Sequence, residues 1–233
     1  MAGGLGGGAE SVNQMGLSNQ QIERYARQII VPGIGGIAQE RLMSARLMHA
    51  GKAADVASVL AYMVGAGIGE IRLRLPASDT AEQDSLIMRA AQLNPEVVVR
   101  PGAESIAGLN LILAIGRDSE TLELIPSPGL VCADVPLIFV HLDEPAMVAI
   151  LPARPPCPLC ADADLNAPSK ARGDNAGFVA MVAATEAFKL LAYSAPPASP
   201  ALLQFSGFAF TTRELRQRPL GAKCACSIIA EAR

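Results

Sequence analysis

The sequence contains no tryptophan, and aromatic residues make up 4% of its 233 positions. Its core must therefore come from aliphatic and small side chains, which suits close helix packing. No run of 18 or more uncharged apolar residues occurs, so a membrane span is not expected. Basic residues (19) do not exceed acidic ones (22) and form no cluster, so the net charge of −3 excludes the electrostatic footprint of a nucleic-acid binder. The first residues, Met1-Ala-Gly-Gly-Leu-Gly-Gly-Gly8, lack the basic and apolar regions of a signal peptide and read as a flexible tail over 1–17. A cytoplasmic location is the expectation. Five cysteines, four of them in two close pairs, suit a metal site in a reducing compartment rather than a disulfide framework.

What is present is apolar: 51% of the chain is hydrophobic, enough for one large domain. Ser18 and Gln21 form a capping box, and Ile22, Tyr25, Ala26, Ile29 and Ile30 share one helical face ahead of Pro32 and Gly33. A short helix follows over 38–45, then a strand at Arg46–Ala50, a helix from Ala53 to about Gly65 and a strand at Glu70–Leu75. Arg72 and Arg74 alternate with Ile71, Leu73 and Leu75, predicting one solvated face near a sheet edge. A helix over 81–92 leads to strands at Val97–Val99, Leu111–Ile115, Leu137–Val140 and Met147–Leu151. After a Pro- and Asp-rich stretch, 176–193 reads as an alanine-rich helix and Ala201–Arg216 as two antiparallel strands. The alternation of strand and helix predicts an α/β fold, a Rossmann-like doubly wound, mostly parallel sheet with antiparallel C-terminal strands. It forms a single domain over 18–227 with a C-terminal tail at 228–233.

Two cysteine knuckles carry the most specific chemistry. Cys157-Pro-Leu-Cys160 and Cys224-Ala-Cys226 supply four thiols that can close one tetrahedral, structural zinc site, the other reading being four free thiols. The solitary Cys132 reads as a buried structural thiol, and His49 within the first strand and His141 just after another read as satisfied core or loop histidines.

Five segments in order carry a family resemblance: Ser18–Ile30 with its Arg24-Tyr-Ala-Arg-Gln28 motif, Gly65-Ala-Gly-Ile-Gly69, Asn94-Pro95, the Cys157/Cys160 knuckle and Glu186-Ala-Phe-Lys-Leu-Leu191. Together they resemble the ThiF/MoeB/HesA family of ubiquitin-activating-like adenylyltransferases. The resemblance covers residues 18 to 227. It implies a Rossmann-like fold, ATP with magnesium, a two-fold homodimer, and adenylation of the C-terminal glycine of a ubiquitin-like sulfur carrier. It also implies that Arg27 reaches across the dimer to the partner's nucleotide, and that a second cysteine pair completes the zinc site, here with Cys224 displaced by one position.

At the implied nucleotide site the family's residues are largely replaced. In the stretch Gly51-Lys-Ala-Ala-Asp-Val56 only Gly51 keeps a glycine, while Ala53, Ala54 and Val56 stand where the others fall and Asp55 adds negative charge. Lys52 could attract phosphate at the helix N-terminus. Leu75 stands at the acidic ribose anchor, and Pro76-Ala-Ser-Asp-Thr80 runs into the next helix without the family's phosphate-binding segment. Ala81 replaces a lysine and Arg117 the magnesium aspartate, with Asp118 one residue away. Losses at five points of one site point to abandonment of adenylation, with ATP and magnesium no longer expected. Gly65, Gly67 and Gly69 read as structural, through positive φ values. The leading reading is a non-catalytic homologue that binds or scaffolds a carrier or other protein. Its rivals are an adenylyltransferase rebuilt on Lys52, Arg27 and Asp118, and a maturation factor holding another small molecule in the same cleft.

Overall fold

The computed structural model describes residues 16–102, 105–116, 121, 123–125, 135–153, 173–193 and 199–215. The capping box forms as expected: Ser18 accepts from the Gln21 amide while the Gln21 side chain returns to the Ser18 amide. It starts α1 (Asn19–Ile29), which is followed by α2 (Gly35–Ser44), β1 (Arg46–Gly51), α3 (Ala53–Ala66) and β2 (Glu70–Arg74). A 3₁₀ turn (Ala77–Asp79) leads into α4 (Thr80–Leu93), β3 (Val98–Pro101), β4 (Leu111–Ile115), β5 (Leu137–His141) and β6 (Met147–Leu151). The chain then builds α5 (Ala176–Tyr193), β7 (Ala201–Ser206) and β8 (Ala209–Glu214).

All eight strands join one sheet in the order β3-β2-β1-β4-β5-β6-β7-β8. The first five strands pair in parallel, and β6, β7 and β8 add an antiparallel extension. β1, β4, β5 and β6 are apolar on both faces and buried nearly throughout, as central strands covered on two sides must be. One face carries Leu47, Leu113, Ile138 and Val148 beneath α2, α3, α4 and α5. The other carries Met48, Ile112, Phe139 and Ala149, covered among the described residues by Ile106, Leu109, Leu124, Val135 and Leu215. The helices α2, α3, α4 and α5 therefore lie on one face of the sheet.

α5 is long and apolar enough to cross a membrane by length and composition. Its alanine face (Ala180, Ala183, Ala184, Ala187) is instead buried against the sheet, and Glu186 pairs with Lys189 one turn on. Alanine lets helix and sheet approach closely, which is where the low aromatic content takes effect.

The structure moves several boundaries. α2 begins at Gly35 rather than 38, after Ile34, whose side chain makes no capping bond. β3 runs on to Pro101, which a sheet edge tolerates because the missing N–H faces away from the ladder. β2 stops at Arg74, and His141 is the last residue of β5 rather than following it. Of the three glycines ending α3, only Gly67 has a positive φ, +82°, and Tyr25 lies against it. Gly69 is required for a different reason, the close approach of the Met43 carbonyl, and nothing crowds Gly65.

Candidate functional site

The winding reverses between β1 and β4, and open α/β sheets hold their ligands at the carboxyl ends of strands at such a point. Gly51 ends β1 in register with Ile115 at the end of β4. Its φ of +146° and the closeness of the Ile115 carbonyl leave no room for a Cβ, so the turn admits glycine alone. Lys52 follows in extended conformation as the N-cap of α3 and gives the helix no side-chain cap.

The cap comes from another element. Asp79 Oδ2 accepts the Ala53 N–H at 2.8 Å, bringing a carboxylate onto the first amide of α3. Ser78 Oγ donates to Asp79 Oδ1 at 2.7 Å, so both oxygens are engaged. The Ala53 amide, then the Ser78 hydroxyl, and more weakly the Lys52 ammonium hold the Asp79 carboxyl below the ordinary aspartate range. Asp79 also occupies the N-cap position of α4, yet its side chain makes no bond there. Sequence reasoning missed this role. The Ser-Asp-Thr run signals a helix start, but nothing in it points to a helix 26 residues earlier.

The positions where the resemblance implies glycines are packed. Val56 is fully buried beside Gly51, and Ala53 is 8% exposed. Leu75, at the expected ribose position, packs against the core under the helices. Beneath the turn, His49 is fully buried between the Leu113 carbonyl (Nδ1, 3.1 Å) and the Val56 carbonyl (Nε2, 3.3 Å). Burial pushes its pKa down to about 4 against the pull of both carbonyls, so at neutral pH the ring is uncharged and donates to one carbonyl at a time. This is a buried core histidine hydrogen-bonded to the backbone, as its lack of partner motifs suggested.

Arg27 stands elsewhere. It is exposed in the last turn of α1 and lines a groove of about 670 Å³ with Val31, Tyr62, Leu93 and Phe188. The neighbouring Gln28 side chain donates to the Gly65 carbonyl at the C-terminal end of α3, whereas Lys52 begins that helix. Fourteen helical residues span about 20 Å, so one chain does not bring Arg27 to Gly51. Arg117, Asp118, Cys132, Cys157, Cys160, Cys224 and Cys226 lie outside the described residues. Among the described residues, no group of three His, Cys, Asp or Glu side chains could hold a metal ion. Chemically, the turn offers a helix start already carrying an anion, with Lys52 beside it.

No family model matches the chain. It is 26% identical to the molybdopterin-synthase adenylyltransferase of Salmonella typhimurium over 242 residues, covering 86% of this chain and 94% of that protein. It is 27% identical to the vegetative HesA protein of Trichormus variabilis, covering 80% of this chain and 82% of that one. To the adenylyltransferase and sulfurtransferase UBA4 of Lodderomyces elongisporus it is 29% identical over 148 residues, only 32% of that longer protein. Among solved structures, Escherichia coli MccB with selenomethionine MccA superposes with a TM-score of 0.65 at 14% identity, covering 92% of this chain and 75% of MccB. PaaA superposes with a TM-score of 0.57 at 17% identity, covering 86% of this chain and 74% of PaaA. At such identities the structural likeness is one of fold.

Proposed function

We propose that this chain, which belongs to the ThiF/MoeB/HesA family, is a non-catalytic member that binds a ubiquitin-like sulfur carrier or another protein partner. The observation carrying this reading is the packing of the nucleotide turn. Phosphate needs bare backbone N–H groups approached closely, which glycines permit. Here Val56 is 0% exposed against Gly51, and the residue that should hold ribose, Leu75, packs against the core. Opening the turn would require withdrawing a buried valine that also anchors His49. ATP and magnesium do not fit these residues.

The other expected features follow from the donor set and the surface. Cys157, Cys160, Cys224 and Cys226 would hold one structural zinc through four thiolates, a closed set with no position for substrate. The groove between α1, α3 and α5, with Val31, Tyr62 and Leu93 exposed on it, suits a second copy of the chain in a two-fold dimer. Such a pairing would also remove exposed apolar side chains from water.

A second reading, a working adenylyltransferase with a rearranged site on Lys52, Arg27 and Asp118, is favoured by the names of the relatives. Isothermal titration with ATP and magnesium separates the two. No heat is expected below millimolar ATP, and micromolar binding would move the chain to the second reading.

A further inference from the structure

We propose that Asp79 closes the first βα turn to phosphate, its own carboxylate taking the place of an external anion at the start of α3. This rests on the non-catalytic reading and names the residue that enforces it.

A helix start exposes amide groups and carries the positive end of the helix dipole. In α3 the N-cap is Lys52, which supplies no acceptor from its side chain. The acceptor is Asp79 Oδ2, brought from beyond β2 to 2.8 Å from the Ala53 nitrogen. Two features show a committed arrangement rather than incidental contact. Aspartate at an N-cap ordinarily serves its own helix, yet the Asp79 side chain makes no bond to α4, which it begins. Its second oxygen is fixed by Ser78 at 2.7 Å, so the carboxylate is held from both sides.

Carboxylate and phosphate are both anionic acceptors for the same N–H, and a second anion beside the first meets like-charge repulsion. A tethered carboxylate also acts at an effective concentration far above that of a free ion. The short run Pro76–Thr80 is long enough to bring Asp79 back over the turn, so this chain's own loop seals the place where an external phosphate would sit.

The test uses the full chain, inorganic phosphate as probe, and the Ala53 amide resonance as readout. The wild type should show no phosphate-dependent shift at Ala53. Asp79→Ala should gain one, with apparent phosphate affinity at least roughly tenfold above the wild type. Asp79→Asn keeps an acceptor oxygen without the charge and should show a smaller gain; it carries the test if the alanine variant does not fold. An Ala53 shift in the wild type equal to that of the variants overturns the proposal, as does a folded variant with no gain. Pyrophosphate exchange measured on the wild type separates the two claims. Variants that gain nothing in a protein without exchange refute the role of Asp79 and leave the non-catalytic reading standing. Exchange by a wild type whose Ala53 stays silent refutes that reading instead.

Discussion

The Asn94 side-chain amide donates to the Tyr25 hydroxyl at 2.9 Å, joining residues 69 positions apart. The same nitrogen donates to the Val64 carbonyl, also at 2.9 Å, near the end of α3. Tyr25 in turn reaches Glu96 and lies against Gly67, where any Cβ would overlap its ring. Burial, opposed by the Asn94 bond and aided by the Glu96 charge, raises the Tyr25 pKa. Three segments that carry the family resemblance, in α1, at the end of α3 and at Asn94-Pro95, thus meet at one buried latch.

Replacing Asn94 with alanine should cost about 2 kcal/mol, since it removes two buried hydrogen bonds, to the Tyr25 hydroxyl and to the Val64 carbonyl. For a domain of this size that lowers the melting temperature by roughly 5 °C. Thermal unfolding checks it, and an unchanged melting temperature would show that the latch is dispensable.

Stability should fall as acid is added before the carboxylates titrate. The folded-state pKa of His49, about 4, lies below the free value of 6.5, so the unfolded chain takes up the proton first. The contribution is complete above about pH 6.5 and is lost progressively down to about 4, amounting to roughly 3 kcal/mol. Asp79 works lower: its depressed pKa keeps its contribution until the pH falls below the ordinary aspartate range. Denaturant titrations of wild type and His49→Leu at pH 7 and pH 4.5 compare the slopes. The variant should lose less stability between the two, and parallel losses would remove His49 as the cause.

Purified protein should carry about one zinc per chain, with zinc–sulfur distances of roughly 2.3 Å by X-ray absorption. Replacing Cys157 and Cys160 together with serine should abolish the metal and loosen the C-terminal segment to protease, because the site would tie residues 224–226 to residues 157–160. Full zinc occupancy in that double variant would refute the assignment.

Light scattering at micromolar concentration should give the mass of two chains. Tyr62 is 63% exposed beside the α1–α5 groove, and Tyr62→Glu should shift the mass toward one chain without unfolding the domain. A monomeric wild type would contradict the dimer, and an undisturbed dimer in the variant would move its interface to another face.

Much of the fold was legible because burial in a covered parallel sheet imprints itself as apolar runs. Leu111–Ile115 and Met147–Leu151 have the expected bounds, as does the alanine-rich helix over 176–193. Boundaries slipped where local signals are weak or context decides. Ile34 offers no cap before α2, and the Val97 N–H closes a turn on the Asn94 carbonyl, so β3 starts one residue later than its valine run suggests. At the site, the replacements by Ala53, Ala54, Val56 and Leu75 were legible against the resemblance. What fills it was not, because the Asp79–Ala53 bond is a tertiary contact with no periodicity or spacing to announce it.

ATP–pyrophosphate exchange in the presence of a carrier protein ending in Gly-Gly tests the central claim most directly. With Val56 buried against Gly51, Leu75 packed against the core and Asp79 on the Ala53 amide, the chain should show no exchange above background at any carrier concentration. Exchange that depends on carrier and magnesium, and that disappears on changing Asp118 or Arg27 to alanine, would contradict the account and make this protein an adenylyltransferase.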